Sequence, residues 1–544
     1  MEPFNIANWI TDQACERPHQ RAIVFPENRG SFDKRAYTQL TFSQTEKLIN
    51  QYARGFIDVG IKKGDRVSLF VRPCLEFMPI TFALYKVGAV VVLIDPGMGR
   101  DGLLSCIERI APRALVAIPQ AMAATVLFPK KFKSVDLKIT VGNRTWLWGG
   151  HRIEDIRSDD DSPMEAAATT RADEASILFT SGSTGPAKGV RYTHGVFDAQ
   201  TRQIKKMYNI QAGEIDLPCF PLFGLFSLAM GMTVVIPDMD PTKPAQANPK
   251  LLLEAIEDHG VNTLFASPAL LKPFVAWCLK HQVKIPSVHR ILSAGAPIPP
   301  KLHSDFREIL PEGAQIHTPY GATESLPVAT ISSTEVLSDT QNKTNAGEGT
   351  CVGHLAPEIE VQIIEISDEL IANWEDVQVL PQGSIGEICV KGPVVTTEYK
   401  EEPEHTKMAK IYGSNGELWH RMGDVGYLDE HGRLWFCGRK SHRVKLSEQT
   451  LYPVPCEAIF NLHPDVARSA LISKDGEPVI VIEKREPQLN ETRLRAELLA
   501  LSPKNPKTKL IKTVLFHPSF PVDVRHNAKI QRLKLAEWAK QEAL

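Results

Sequence analysis

Short apolar, β-branched runs alternate with segments of helical spacing through the first two-thirds of the chain. Residues 7–16 place apolar positions at amphipathic helical intervals, 20–25 read as a strand, and 40–43 run into a helix over 46–53, for which Ser43 is the expected N-cap. Further strands are expected at 66–71, 89–94, 114–118, 176–179, 233–236, 263–266 and 290–293, separated by helices such as 76–87 and 249–258. Strands that are apolar on both faces and alternate with helices imply parallel βαβ units, covered on both sides. From 349 onward the texture shifts to shorter strands, at 359–366, 386–390, 426–428 and 434–436, with a hairpin turn at Asp429-Glu430-His431-Gly432. Beyond 438 come a helix near 455–462, strands at 469–472 and 479–482, and a helix over 491–501. The expected fold class is α/β. A large N-terminal domain (1–438) holds parallel βα sheets and a β-rich subdomain over about 350–438, followed by a hinge at 439–441 and a small α+β C-terminal domain (442–544).

Length and composition narrow the class without naming a chemistry. A chain of 544 residues exceeds one ordinary core, and 43% hydrophobic with 23% charged residues is the balance of a globular protein. A net charge of −2 gives no bulk attraction to nucleic acid, and the lysine-rich stretch 504–512 reads as a solvated face, so no nucleic-acid partner is expected. Nine cysteines, an odd number without a Cys-x-x-Cys pair, read as reduced thiols of a cytoplasmic protein. The first residues lack the basic and apolar regions of a secretory signal. The uncharged stretch 220–237 is interrupted by Gly224, Ser227, Gly231 and Thr233 and ends in Pro237, which favours a buried strand and helix over a membrane span; peripheral contact with a membrane stays open.

The chemistry enters with Phe179-Thr-Ser-Gly-Ser-Thr-Gly-Pro-Ala-Lys-Gly189. Glycines free the backbone N–H groups of this loop to turn toward one anion. The hydroxyls of Thr180, Ser181, Ser183 and Thr184 add neutral donors, Gly182 and Gly185 open the turn, and Lys188 brings a mobile positive charge. A polyphosphate suits such a loop. It is not a Walker A loop, because Ala187-Lys188-Gly189 stands where Gly-Lys-Ser/Thr is needed.

With this loop, Tyr320-Gly-Ala-Thr-Glu324, Arg421-Met-Gly-Asp-Val-Gly-Tyr427, Gly438-Arg439 and Lys529 in Asn527-Ala-Lys-Ile-Gln-Arg532, the chain resembles the adenylate-forming superfamily of acyl-CoA synthetases, adenylation domains and luciferases over roughly residues 10–540. That resemblance implies an ATP- and Mg²⁺-dependent reaction of a carboxylate to an acyl-adenylate and pyrophosphate. Cations and oriented donors must then offset the repulsion between carboxylate and phosphates. It further implies that the 180–189 loop holds the β- and γ-phosphates, Glu324 holds Mg²⁺, Thr323 contacts the α-phosphate and Tyr320 stacks near adenine. Asp424 and Arg439 would take the ribose, and Lys529, on a mobile C-terminal domain, would reach the α-phosphate and acyl carboxylate oxygens.

Three positions depart from the pattern of members that make CoA thioesters. Gly224 follows Pro221-Leu222-Phe223 where His or an aromatic is common, Ser441 stands at the hinge in place of Asp or Lys, and Glu448 occupies a glycine position of the loop that lines the pantetheine tunnel. The stretches 220–226, 236–241, 318–324 and 524–529 resemble the olefin-pathway β-lactone synthetase branch, whose substrate is a long-chain 2-alkyl-3-hydroxy fatty acid. In that branch the substrate's own 3-hydroxyl attacks the acyl-adenylate, so no thiol is needed. The resemblance implies that 220–237 lines the alkyl pocket, and His194 and His526 are candidate bases for the hydroxyl proton. A long-chain acyl-CoA ligase and a non-catalytic acyl-binding subunit stay open as alternatives, as does a complex with other enzymes of a pathway.

Overall fold

A computed structural model describes residues 2–29, 35–143, 147–179, 187–522 and 530–542. Among them the apolar runs assemble into two large sheets. In the eight-stranded sheet, Glu174–Phe179, Val90–Ile94, Arg66–Phe70 and Ala114–Ala117 lie side by side and parallel, in that order. Val90–Ile94 is buried at every position, as a strand covered on both faces must be. The helix Phe77–Val87 is equally buried throughout, so it is sandwiched between layers and shows no polar stripe. The helix Phe42–Asp58 packs against it. Its N-cap is Thr41, not Ser43: the Thr41 hydroxyl accepts from Gln44 N while the Gln44 side chain accepts from Thr41 N, a reciprocal capping box that starts the helix two residues earlier than the serine would.

From an antiparallel edge pair, Arg35–Thr41 with Arg21–Arg29, the fourteen-stranded sheet runs on as a parallel array, Arg21–Arg29, Thr233–Val235, Ile215–Pro218, Thr263–Phe265, Arg290–Leu292 and Gln315–Ala322. At Gln315–Ala322 the ladder turns antiparallel, pairing with Ser325–Ser332. It then continues through Thr350–Leu355, Leu434–Arg439, Leu418–Leu428, Gly386–Lys391 and Glu360–Ile364. The β-rich strands are therefore no detached sheet. Ala329 opposite Leu355 and Thr330 opposite His354 carry the ladder across, leaving no open edge between them.

Beyond this sheet, Val466–Lys474, Glu477–Lys484 and Thr513–Phe516 form a separate three-stranded sheet. With helices Pro453–Asn461 and Glu491–Leu501 it encloses its own core, including Phe460, Leu471, Ile480 and Leu494. Ionic contacts tie this lobe to the larger body, among them Lys507 with Glu348 at 3.8 Å. The carboxylate of Glu387, inaccessible to solvent, pairs with Arg421 at 2.7 Å and with Lys440 at 3.0 Å. Asp368 pairs with Arg443 at 2.7 Å and Lys445 at 2.8 Å, and hydrogen bonds from Lys445 and Arg443 hold its carboxyl down at about 2.

Candidate active site

A cavity of about 1370 Å³ opens at the carboxyl ends of the parallel strands of both sheets, where open α/β sheets bind ligands. It exceeds the roughly 300–1,000 Å³ of a site for one small ligand. At one end sits the turn Thr323-Glu324, where the large sheet changes from parallel to antiparallel. This turn is pinned from three sides. Tyr192 Oη donates to the Thr323 carbonyl at 2.6 Å, and Gln200 Nε2 donates to Tyr192 Oη at 3.3 Å and to the Leu326 carbonyl at 3.0 Å. Thr396 donates to the Glu324 carbonyl from its N–H (2.9 Å) and its hydroxyl (3.1 Å). Tyr399 Oη donates to Glu324 Oε1 at 2.6 Å. Burial and the Glu324 charge push the Tyr399 phenol up, so it stays protonated and donates. The ring of Tyr399 also lies 5.0 Å from Lys188 Nζ, a cation–π contact that brings the loop lysine to the same corner.

Lys410 supports this corner from within the protein. Fully buried, its ammonium donates to the Thr396 carbonyl, and burial pushes its pKa down to about 7 against the opposing pull of Glu324. His420 lines the cavity beside it and is kept neutral by burial and by the Lys410 charge. Its Nδ1 lies 3.2 Å from the Ala409 carbonyl. A carbonyl only accepts, so Nδ1 carries the proton and Nε2 the lone pair. His405 lines the cavity as well, with Nδ1 2.6 Å from Glu402 Oε2.

Close to this corner, Asp424 and Arg439 stand directly opposite each other in the ladder between Leu418–Leu428 and Leu434–Arg439, with Oδ1 3.0 Å from Arg439 Nη1, and Arg439 feels the charge of Glu324 as well. Tyr320 Oη donates to Asp424 Oδ2 at 2.7 Å, and its ring rests 6.0 Å from that of Phe436. Tyr320 thus buttresses the carboxylate, while Gly321, Met422, Gly423 and Arg439 beside it line the cavity. Of the stretch 220–237, which folds as helix Phe223–Ala229 and strand Thr233–Val235, only residues 220–223, Leu225 and Phe226 line the apolar wall, while the strand is buried in the core. Phe223 stacks on Phe265 at 3.5 Å between ring centroids, and Phe220 and Phe226 flank it at 5.7 and 5.9 Å.

The cavity therefore brings together Lys188, Thr323, Glu324 and Arg439, with Tyr320 and Asp424 immediately behind it. His194 lies elsewhere. It is buried, its Nδ1 accepts from Ile6 N at 3.3 Å, and burial holds it down at about 4. The five-residue strand Gly189–Thr193 carries the chain about 16 Å from Lys188 before His194 is reached. Glu448 is exposed on the turn between Val444–Lys445 and Thr450–Leu451 and does not line the cavity. Gly224 faces the core, where an added Cβ would come within 2.3 Å of Met78 Cε.

Thr180, Ser181, Gly182, Ser183, Thr184, Gly185, His526 and Lys529 lie outside the described residues. The described residues on either side of this stretch pair across antiparallel strands, Phe179 with Gly189, and a Cβ at Gly189 would press within 3.1 Å of Ile177 and Phe179. Arg109 secures both flanks: it donates to the Ala187 carbonyl, pairs with Glu402, and lies 5.4 Å from the Phe179 ring centroid. Sequence reasoning missed Tyr192, Tyr399, Lys410, Arg109 and His420. Of these only His420 adjoins a quoted motif, immediately before Arg421.

Residues 10–400 match the model of a family described as AMP-binding enzyme. The chain is 43% identical over 551 residues to a protein of Stenotrophomonas maltophilia named olefin beta-lactone synthetase, with 99% of each chain covered. It is equally 43% identical over 550 residues to a protein of the same name from Xanthomonas campestris pv. campestris, covering 99% of this chain and 98% of that one. Among solved structures, the amide bond synthetase McbA from Marinactinospora thermotolerans superposes with a TM-score of 0.79 at 22% identity, covering 98% of this chain and 99% of that one. O-succinylbenzoate coenzyme A synthetase from Bacillus subtilis, in complex with AMP, gives 0.75 at 21% identity, covering 100% and 98%. At those identities the structural likeness shows the fold.

Proposed function

Because the chain belongs to the AMP-binding enzyme family, we propose that it activates a long-chain 2-alkyl-3-hydroxy fatty acid with ATP and then closes it to a β-lactone. In the first step a carboxylate oxygen attacks the α-phosphorus and pyrophosphate leaves, giving the acyl-adenylate. In the second the 3-hydroxyl oxygen attacks the acyl carbonyl, its proton passes to a base, and AMP leaves as the four-membered ring forms. Ring strain opposes this closure. A good leaving group and an enforced conformer favour it, with effective molarities that reach about 10⁵ M or more.

The site supports the first step. Lys188 and the loop it belongs to would meet the β- and γ-phosphates, and Thr323 the α-phosphate. Asp424 has its two oxygens braced by Arg439 and Tyr320, yet each retains lone-pair capacity for a ribose hydroxyl. Glu324 suits a Mg²⁺ ion held by one carboxylate and substrate phosphates, since Tyr399 fixes Oε1 while Oε2 has no partner among the described residues. That ion, when bound, supplies neutralising charge at the phosphates. Lys529 would reach the reacting oxygens from the smaller lobe. For the hydroxyl proton, His405 and His420 are the imidazoles that line the cavity among the described residues, which favours them over His194.

The full-length kinship with two proteins named olefin beta-lactone synthetase carries the second step. A strained product calls for a consuming enzyme close by, which favours a complex with pathway partners. Mass spectrometry of a reaction containing the hydroxy acid, ATP and Mg²⁺ but no CoA should find a lactone and AMP. Product that forms only with CoA, as its thioester, would replace this reading with an acyl-CoA ligase. No AMP from any fatty acid would leave a non-catalytic acyl-binding subunit.

A further inference from the structure

The phosphate corner joins the two sheets. Glu324 belongs to the larger one, while Lys188 and Tyr399 flank adjacent strands of the smaller. From this corner the aromatic lobe with Phe223, Phe265 and Leu270 follows the carboxyl edge of the larger sheet. The cavity also follows the carboxyl edge of the smaller sheet. Beyond Glu174–Phe179, which leads into the phosphate loop, it passes Val90–Ile94 and Arg66–Phe70 and reaches Ala114–Ala117. That is three strand spacings, or about 14 Å. Ile94, Val71, Leu103, Ile118 and Ala121 line this extension, with Arg72, Asp95 and Gln120 as polar residues among them. A triphosphate needs cations and N–H donors, so it does not account for an aliphatic lining on this side of the loop. A hydrocarbon chain does.

We propose that this second lobe, along the edge of the smaller sheet at Val71, Leu103, Ile118 and Ala121, holds one of the two hydrocarbon chains of an acid branched at carbon 2, the aromatic lobe holding the other. The inference rests on the reading above and sharpens it. An unbranched fatty acid would fill one lobe, whereas chains leaving adjacent carbons of a 2-alkyl-3-hydroxy acid fill both. Ala121 then sets how long a chain the second lobe accepts, since it lies in the first turn of helix Pro119–Leu127, farthest along the edge.

The test replaces Ala121 by Trp and, as a milder variant, by Leu. AMP release is followed for acids in which the 2-alkyl chain and the chain on carbon 3 are shortened independently. The ratio of kcat/KM, wild type to Ala121→Trp, should be roughly tenfold or more larger for the acid with two long chains than for the acid in which the chain of this lobe is cut to methyl. Ala121→Leu should show the same selectivity in smaller degree, and it serves alone if the Trp variant does not melt like the wild type. An equal loss on every acid, or none, overturns the lobe assignment while the wild-type reaction stands. A wild type that turns over unbranched acids but no 2-alkyl-3-hydroxy acid overturns the functional reading, and this inference with it.

Discussion

Tyr399 touches both charges of one corner of the cavity, the corner proposed to meet the phosphates, its hydroxyl on Glu324 and its ring beside Lys188. Tyr399→Phe keeps the ring and deletes one hydrogen bond to a charged group, worth about 1.5–3 kcal/mol. ATP–pyrophosphate exchange should slow by roughly ten- to a hundredfold, with a higher Mg²⁺ requirement. Exchange at the wild-type rate would show that Glu324 needs no such anchor. Lys410 gives a second prediction, in pH. Its pKa falls from 10.5 in the unfolded chain to about 7 in the fold. Between those values the unfolded chain holds the extra proton, so stability rises with pH through that window, and the cost of the buried charge is fully present below about 7. Urea melts from pH 7 to 10 should show the rise, and Lys410→Met should flatten it. Neither residue was legible in the sequence. Thr323, Glu324, Asp424 and Arg439 stood in motifs with recognisable spacing, but Tyr399 and Lys410 reach the site across more than seventy residues of chain, and no local pattern announces such a contact.

Among the elements, strands were legible wherever both faces are buried. The run Val90–Ile94 has one reading because polar residues are absent from it, and the helix Phe77–Val87 is legible for its length. Boundaries and directions were less so. Thr41 outranked Ser43 as a cap because Gln44, three residues after it, closes the reciprocal pair. His194, named as a candidate base, instead starts helix His194–Met207 in the core, where its Nδ1 accepts from Ile6 N, and does not line the cavity. The segment around Asp368 has no motif, yet it holds Arg443 and Lys445 just past the expected hinge. Half-exposed, Asp368 contributes on the order of 1 kcal/mol or less once solvent screening is allowed for. The sign follows from its lowered pKa: the contribution is present above pH 3.8 and is lost as pH falls through about 2. Asp368→Ala should therefore leave thermal stability nearly unchanged but speed proteolytic cleavage within 440–445. Cleavage at the wild-type rate would show that the lobe is held by other contacts.

Across the whole molecule, the sequence conveyed the order of parts but hid their continuity. A change from long apolar runs to short strands near 349 suggested a β-rich subdomain within the N-terminal domain but not that hydrogen bonds join its strands to the large sheet through Thr350–Leu355. Sheet continuity is decided by edge pairing, which one chain's pattern does not encode. The same continuity puts Glu387, from an inner strand, against both Arg421 and Lys440. Glu387→Ala would strand a buried guanidinium and a half-buried ammonium. A loss of about 3–5 kcal/mol is expected for breaking such a pair, seen as a lower midpoint in calorimetry. An unchanged midpoint would mean that water replaces the carboxylate at no cost.

That triad also sets a rule for chimeras. Lys440 reaches back from the junction into the body, so a smaller lobe transplanted from a relative brings its own residue to Glu387. A recipient body joined to a donor with an apolar side chain there would inherit an anion with one counter-ion missing. Splices placed after Lys440 keep the original counter-ion, whereas splices placed before it exchange the counter-ion along with the lobe.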